Sequence, residues 1–133
     1  MRYLARREHS RDELARKLAP YAESNEILEG VLRELESRKQ LSNERFAEAR
    51  TSWLARKYGA AKILQDLKSK GVSEEVSDRA VAELDDVAKA KEILARKYRA
   101  PATTREERAK RARFLQGRGF SSDVIRRLVL RDE

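Results

Sequence analysis

The stretch Leu67-Lys68-Ser69-Lys70-Gly71-Val72-Ser73-Glu74-Glu75-Val76 reads as the end of one helix and the start of the next. A basic residue followed by glycine suits a helix C-terminus, where a left-handed residue closes the last turn. Ser73 offers its hydroxyl to the unpaired N–H groups of the following helix. Glu74 and Glu75 sit at that helix's positive end. Val76 opens a buried stripe continued by Ala80, Val81 and Leu84.

The pattern of leucine, five residues, serine, any residue, an acid and a branched aliphatic occurs twice more. Leu18 precedes Ser24-Asn25-Glu26-Ile27, and Leu115 precedes Ser121-Ser122-Asp123-Val124. The leucines are 49 and 48 residues apart, so the chain is an internal repeat. In the first unit the buried face is Leu28, Val31, Leu32 and Leu35 after Ile27. In the third it is Val124, Ile125, Leu128 and Val129. Each leucine ends a middle helix, expected over residues 10–18, 60–69 and 104–116. Ser10-Arg11-Asp12-Glu13 has the spacing of a capping box. Arg118-Gly119 repeats the glycine stop, whereas Pro20 ends the first middle helix by a different route. Upstream lie two identical pentapeptides, Leu54-Ala55-Arg56-Lys57-Tyr58 and Leu94-Ala95-Arg96-Lys97-Tyr98, with a near copy at Leu4-Ala5-Arg6-Arg7-Glu8. Each unit is therefore three helices. The expected fold is all-α: three tandem three-helix units, at residues 1–40, 41–85 and 86–133, stacked into an elongated, curved body.

Composition agrees. Of 133 residues, 41% are charged and 6% aromatic, and strand formers are scarce. Without cysteine there is no disulfide scaffold, thiolate metal site or cysteine nucleophile, and one histidine makes a histidine metal centre implausible. No apolar run exceeds three residues, so no membrane span or signal-peptide core is expected. The net charge of +8 is uneven. Residues 1–40 carry nine basic and eight acidic side chains, residues 41–84 eight and seven, and residues 85–133 fourteen and eight. A basic excess confined to the last third points to a polyanionic partner.

Catalysis has little support, because the glycine-rich phosphate loop and the nucleophile and zinc motifs are all missing. The acidic pairs Asp85-Asp86 and Glu106-Glu107 are better explained as helix starts than as acid–base or metal sites. His9 has no partner motif and is placed at a helix junction. Nine basic residues fall between Arg96 and Arg118, opposed only by Glu106 and Glu107. Arg111 and Arg118 share a helix face with Phe114 between them. Phe114 is expected in the core, and Trp53 is expected to pack between helices.

Three segments resemble the signatures of the RecX family. They are Arg7-Glu8-His9-Ser10 with Glu13-Leu14 and Lys17-Leu18; Leu41-Ser42-Asn43-Glu44-Arg45-Phe46-Ala47; and Gly59 with Ile63, Asp66-Leu67 and Lys70-Gly71-Val72-Ser73. Asp66 stands where the family usually has glutamate. The resemblance runs from about residue 1 to residue 130. It implies tandem three-helix repeats and a non-enzymatic, cytoplasmic regulator of the RecA recombinase in DNA repair, homologous recombination and the SOS response. Such a protein binds in the groove of the RecA–single-stranded DNA filament and suppresses ATP hydrolysis, strand exchange and co-protease activity. The expected partners are the RecA filament and single-stranded DNA, met directly or through the filament. The expected form is a monomer with no cofactor, metal or membrane.

Contacts to the DNA or filament are expected from Arg50, Arg56, Lys57, Lys62, Lys68 and Lys70 in the middle unit, and from Arg96, Lys97, Arg105, Arg111 and Arg118 in the last. Their role is phosphate contact, salt-sensitive and with little sequence preference. Glu23, Glu26, Glu29 and Glu36 are expected to give the first unit a protein-facing surface. The alternatives are an autonomous helical DNA-binding module and a helical adaptor that meets no nucleic acid.

Overall fold

The structure, a computed structural model, describes residues 7–130. Among them are eight α-helices and no strand. The helices are α1 (Arg11–Leu18), α2 (Asn25–Ser37), α3 (Asn43–Leu54), α4 (Ala60–Ser69), α5 (Glu74–Val81), α6 (Asp86–Lys97), α7 (Arg105–Gly117) and α8 (Ser122–Ile125). A 3-10 turn (Ala19–Tyr21) carries Pro20, and a π-helical turn (Arg126–Leu130) continues α8. The near-copy pentapeptide at residues 4–8 falls largely outside the described residues.

The caps act where the sequence puts them. The hydroxyls of Ser24, Ser73 and Ser121 accept from the amides of Ile27, Val76 and Val124. Ser10 with Glu13, and Thr104 with Glu107, form reciprocal capping boxes. Ser42 and Asp85 cap α3 and α6. Thus Asp85 and Glu107, drawn from the two acidic pairs, serve helix starts. Gly71 and Gly119 take positive φ, +80° and +89°, just past α4 and α7.

Three hydrophobic clusters follow one another along the chain. The first joins Leu14, Leu28, Leu32, Leu35 and Leu41. The second joins Phe46, Ala47, Ala55, Ile63, Leu67 and Val72. The third joins Ala90, Ile93, Leu115, Phe120, Val124, Ile125 and Val129. The first is narrower than its sequence suggests, with Ile27 51% and Val31 39% exposed. Helix α2 packs on the eight-residue α1. Among the described residues, Leu14 and Leu41 cover the line Leu28, Leu32, Leu35, and the flank stays outside. The protein exposes 9291 Å², against about 7,000 Å² for a compact monomer of this length, as expected of an extended array of small cores.

Polar bonds hold the units in register. Asn43 Oδ1 accepts the Arg11 amide at 2.8 Å, and Arg45 reaches Glu8 at 3.0 Å. Further along, the Asp86 carboxylate accepts the Ala60 amide at 3.1 and 3.3 Å. Burial pushes the Asp86 carboxyl up; the Ala60 amide opposes this, and the neighbouring Asp85 adds to it.

Candidate polyanion-binding groove

The two identical pentapeptides end α3 and α6, the first helices of consecutive units, and the groove lies between them. Beyond the end of α3 the chain turns through Arg56 and Lys57, whose carbonyls no longer point into a helix. Arg96 donates to the Arg56 carbonyl at 3.1 Å and Arg118 to the Lys57 carbonyl at 3.2 Å. The next unit thus supplies donors for backbone acceptors that would otherwise need water. At the floor, the Gly59 amide donates to the Arg118 carbonyl at 2.7 Å. The backbones approach so closely that a Cβ on Gly59 would lie 2.6 Å from the Gly119 carbonyl oxygen. A Cβ on Gly119 would lie 2.5 Å from Lys62 Cβ.

Two adjoining clefts open on this junction. One, about 340 Å³, is lined by Arg56, Lys57, Ile93, Arg96, Lys97, Phe114 and Arg118. The other, about 370 Å³, is lined by Trp53, Leu54, Arg56, Lys57, Tyr58 and Arg96. Among the described residues no carboxylate lines either cleft; Glu92 pairs with Arg96 from outside them, at 4.0 Å. Aromatic rings help gather these cations. Arg118 lies 4.9 Å from the Phe114 ring and 5.6 Å from that of Tyr58, and Lys97 lies 4.9 Å from Phe114. Arg56 lies 4.7 Å from the Trp53 ring. A cation over a ring face gains about 0.5–2 kcal/mol, which offsets part of the repulsion between neighbouring like charges.

The groove gathers Arg56, Lys57, Arg96, Lys97 and Arg118. Arg111 stands next to it, 4.4 Å from the Tyr98 ring and bonded to the Ala100 carbonyl. Lys62 and Lys68 are exposed on α4, and Arg105 is exposed at the start of α7. Arg50 and Lys70 are tied into the middle unit. Arg50 grips Asp66 with two bonds, at 2.9 and 3.1 Å, and Lys70 lies 3.6 Å from the same carboxylate. The Arg50 bond, helped by both positive charges, holds the Asp66 carboxyl below its usual range. In the first unit Glu29 and Glu36 both pair with Arg11, leaving less of that surface for a partner.

Phe114 packs against the third core, as expected. Trp53 does not pack between helices; it is 60% exposed. It follows buried Phe46 by one heptad, on the same side of α3, but in the last turn, beside an open cleft lined by Arg7, Glu8, Phe46, Ala49 and Arg50. Periodicity places a residue on a face; it does not say how far along the helix that face stays covered. His9 is buried before α1. Its Nδ1 lies 3.1 Å from the Arg7 carbonyl, and the Lys17 ammonium lies 3.0 Å from Nε2. Burial, then the Arg7 and Lys17 charges, lower its pKa. This geometry suits a neutral ring that donates from Nδ1 and accepts at Nε2.

Residues 42–81 match the family model for the second three-helix domain of RecX, and residues 84–129 match that for the third. The chain is 43% identical over 129 residues to the regulatory protein RecX of Ralstonia nicotianae, covering 96% of this chain and 81% of that one. The chain belongs to the RecX family. To the RecX of Herbaspirillum seropedicae it is 44% identical over 128 residues, covering 95% of this chain and 83% of that one. The crystal structure of RecX from Lactobacillus salivarius superposes with a TM-score of 0.83 at 21% identity, covering 98% of this chain and 89% of that one. At that identity the fold is what the two share. The RecX fold is thus the frame on which this chain's groove is built. Among the described residues, no group of three histidines, cysteines or acids could hold a metal, and no helix is long and apolar enough to cross a membrane.

Proposed function

We propose that the chain is a negative regulator of RecA that lies in the groove of the RecA–single-stranded DNA filament. There it inhibits ATP hydrolysis, strand exchange and co-protease activity. Membership of a family of regulatory proteins named RecX supports the partner. The observation that carries the mode of action is the cation-lined groove between the second and third units, which no carboxylate lines among the described residues. A rigid row of small units makes many modest contacts, and together these raise effective affinity without any single strong site. Arg56, Lys57, Arg96, Lys97 and Arg118 contact phosphate from the groove, and Lys62, Lys68, Arg105 and Arg111 extend the basic surface on either side. The protein acts as a cytoplasmic monomer, by binding rather than catalysis, in recombination, repair and the SOS response.

The experiment is a titration of this protein into RecA hydrolysing ATP on single-stranded DNA, with binding to naked DNA measured at the same salt. Suppression well below one copy per RecA protomer, with weaker binding to naked DNA, supports the proposal. No suppression with tight binding to naked DNA favours an autonomous DNA-binding module, for which the same groove would serve.

A further inference from the structure

We propose that Trp53 is a stacking platform for an unpaired base of a single strand whose phosphates are held by Arg56, Lys57 and Arg96. The inference rests on the polyanion reading of the groove and adds what kind of polyanion it takes. The chain's sole tryptophan is 60% exposed at the end of α3. An indole that packs little of its surface loses most of the gain a core position would give it. It lines the cleft that also holds Arg56, Lys57 and Arg96, with no acid among the described residues that line it. A flat apolar ring beside three cations matches a nucleotide, which presents an apolar π-face and a charged phosphate a few ångströms apart.

A duplex offers the phosphates but keeps its base faces stacked inside, so only a single strand can use both halves of the site. A protein partner is the weaker match. Protein hot spots do use tryptophan, but they surround it with a desolvated rim, whereas this indole has Arg56 over its ring and shares its cleft with Lys57 and Arg96, of which, among the described residues, Arg96 alone is paired, with Glu92 at 4.0 Å. The ring is already half of a stack, with Arg56 lying 4.7 Å from its centroid. A base can take the open face or displace the guanidinium toward its own phosphate. The Arg96 bond to the Arg56 carbonyl holds the Arg96 guanidinium at the Arg56 backbone in either case.

Because Trp53 is the only tryptophan, its fluorescence reports on this position alone. The full chain is titrated at low salt with oligothymidylate, with an abasic oligomer of the same length, and with a duplex. Anisotropy of a dye on the oligomer reports binding independently. Oligothymidylate is expected to quench Trp53 in step with binding, whereas the abasic oligomer and the duplex bind and leave the emission unchanged. Trp53→Ala is expected to weaken oligothymidylate binding about fivefold or more with the salt dependence intact, and Trp53→Phe to recover most of the loss. Binding of oligothymidylate without quenching, or undiminished by Trp53→Ala, overturns the stacking role and leaves the polyanion groove standing. Absence of binding by every oligomer overturns both. If Trp53→Ala weakens RecA inhibition but not oligomer binding, the indole faces protein, and the inference fails.

Discussion

Asn43 and Asp86 are the same joint one repeat apart. Each is the first residue of the opening helix of its unit. Each reaches back to the N-terminus of the preceding unit's middle helix: Asn43 to the Arg11 amide at 2.8 Å, Asp86 to the Ala60 amide at 3.1 Å. A helix N-terminus leaves donors unpaired, and α4 begins after Gly59, which has no side chain with which to cap it. The next repeat supplies the acceptor, so satisfying a helix end also fixes how two units stack.

Replacing that acceptor is expected to loosen the stack. Asp86→Ala should lower stability by about 1 kcal/mol, the usual cost of a lost cap. Asp86→Asn should not, since Asn43 does the same work with a neutral amide. Burial raises the Asp86 pKa, so between the ordinary carboxylate value and its raised value the folded state binds more proton than the unfolded state. Its contribution therefore declines as pH rises through that window, and Asp86→Asn should remove the decline. Urea melts of the three proteins at several pH values test this.

The close approach of Gly59 and Gly119 tolerates no side chain. Gly119→Ala must accommodate both a φ of +89° and an overlap with Lys62. It should lower stability by more than about 1 kcal/mol and open the groove. Gly30→Ala is the control, since nothing lies within 4 Å of its Cβ position inside α2. It should raise stability by about 0.5–1 kcal/mol. Thermal melts of the two variants are expected to move in opposite directions.

Arg50 is expected to serve the fold of the middle unit more than a ligand. Its two bonds to Asp66 join α3 to α4. Arg50→Ala should cost about 1 kcal/mol, with little change in the salt dependence of DNA or filament binding. The Asp66 carboxyl is held below its usual range, so the pair's stabilisation is present above the ordinary carboxylate pKa. It is lost as pH falls through the depressed folded value. An acid titration of stability should show this loss in the parent and not in Arg50→Ala. A lower salt slope in Arg50→Ala would return Arg50 to the binding surface.

What the sequence made legible is local chemistry. Ser10, Ser24, Ser73, Thr104 and Ser121 sit within three residues of the amides they serve, and Gly71 and Gly119 act on their own turns. Repetition then multiplied a short signal into a fold. Contacts between distant segments left no such mark. Arg50 looks like any basic residue until Asp66, sixteen positions later, is folded against it. Trp53 keeps helical phase with Phe46, and its exposure depends on where the neighbouring helices stop. Five groove cations were readable as charge, but only folding brings the Arg56–Lys57 and Arg96–Lys97 pairs, 40 residues apart, to the two sides of one cleft. Asn43 and Asp86 had a possible signal, a polar residue directly after the N-cap in two successive units. Its meaning needed the preceding helix in view.

The most direct test of the groove's role is RecA ATP hydrolysis on single-stranded DNA in the presence of a variant carrying Arg56→Ala, Lys57→Ala, Arg96→Ala and Lys97→Ala. Its helicity is first matched to the parent by circular dichroism. The parent should suppress hydrolysis, and the variant should need at least tenfold more protein to do so, with a smaller loss of potency as salt is raised. A variant that suppresses hydrolysis as well as the parent, at every salt concentration, would contradict the assignment of the groove between the second and third units as the surface that meets the filament.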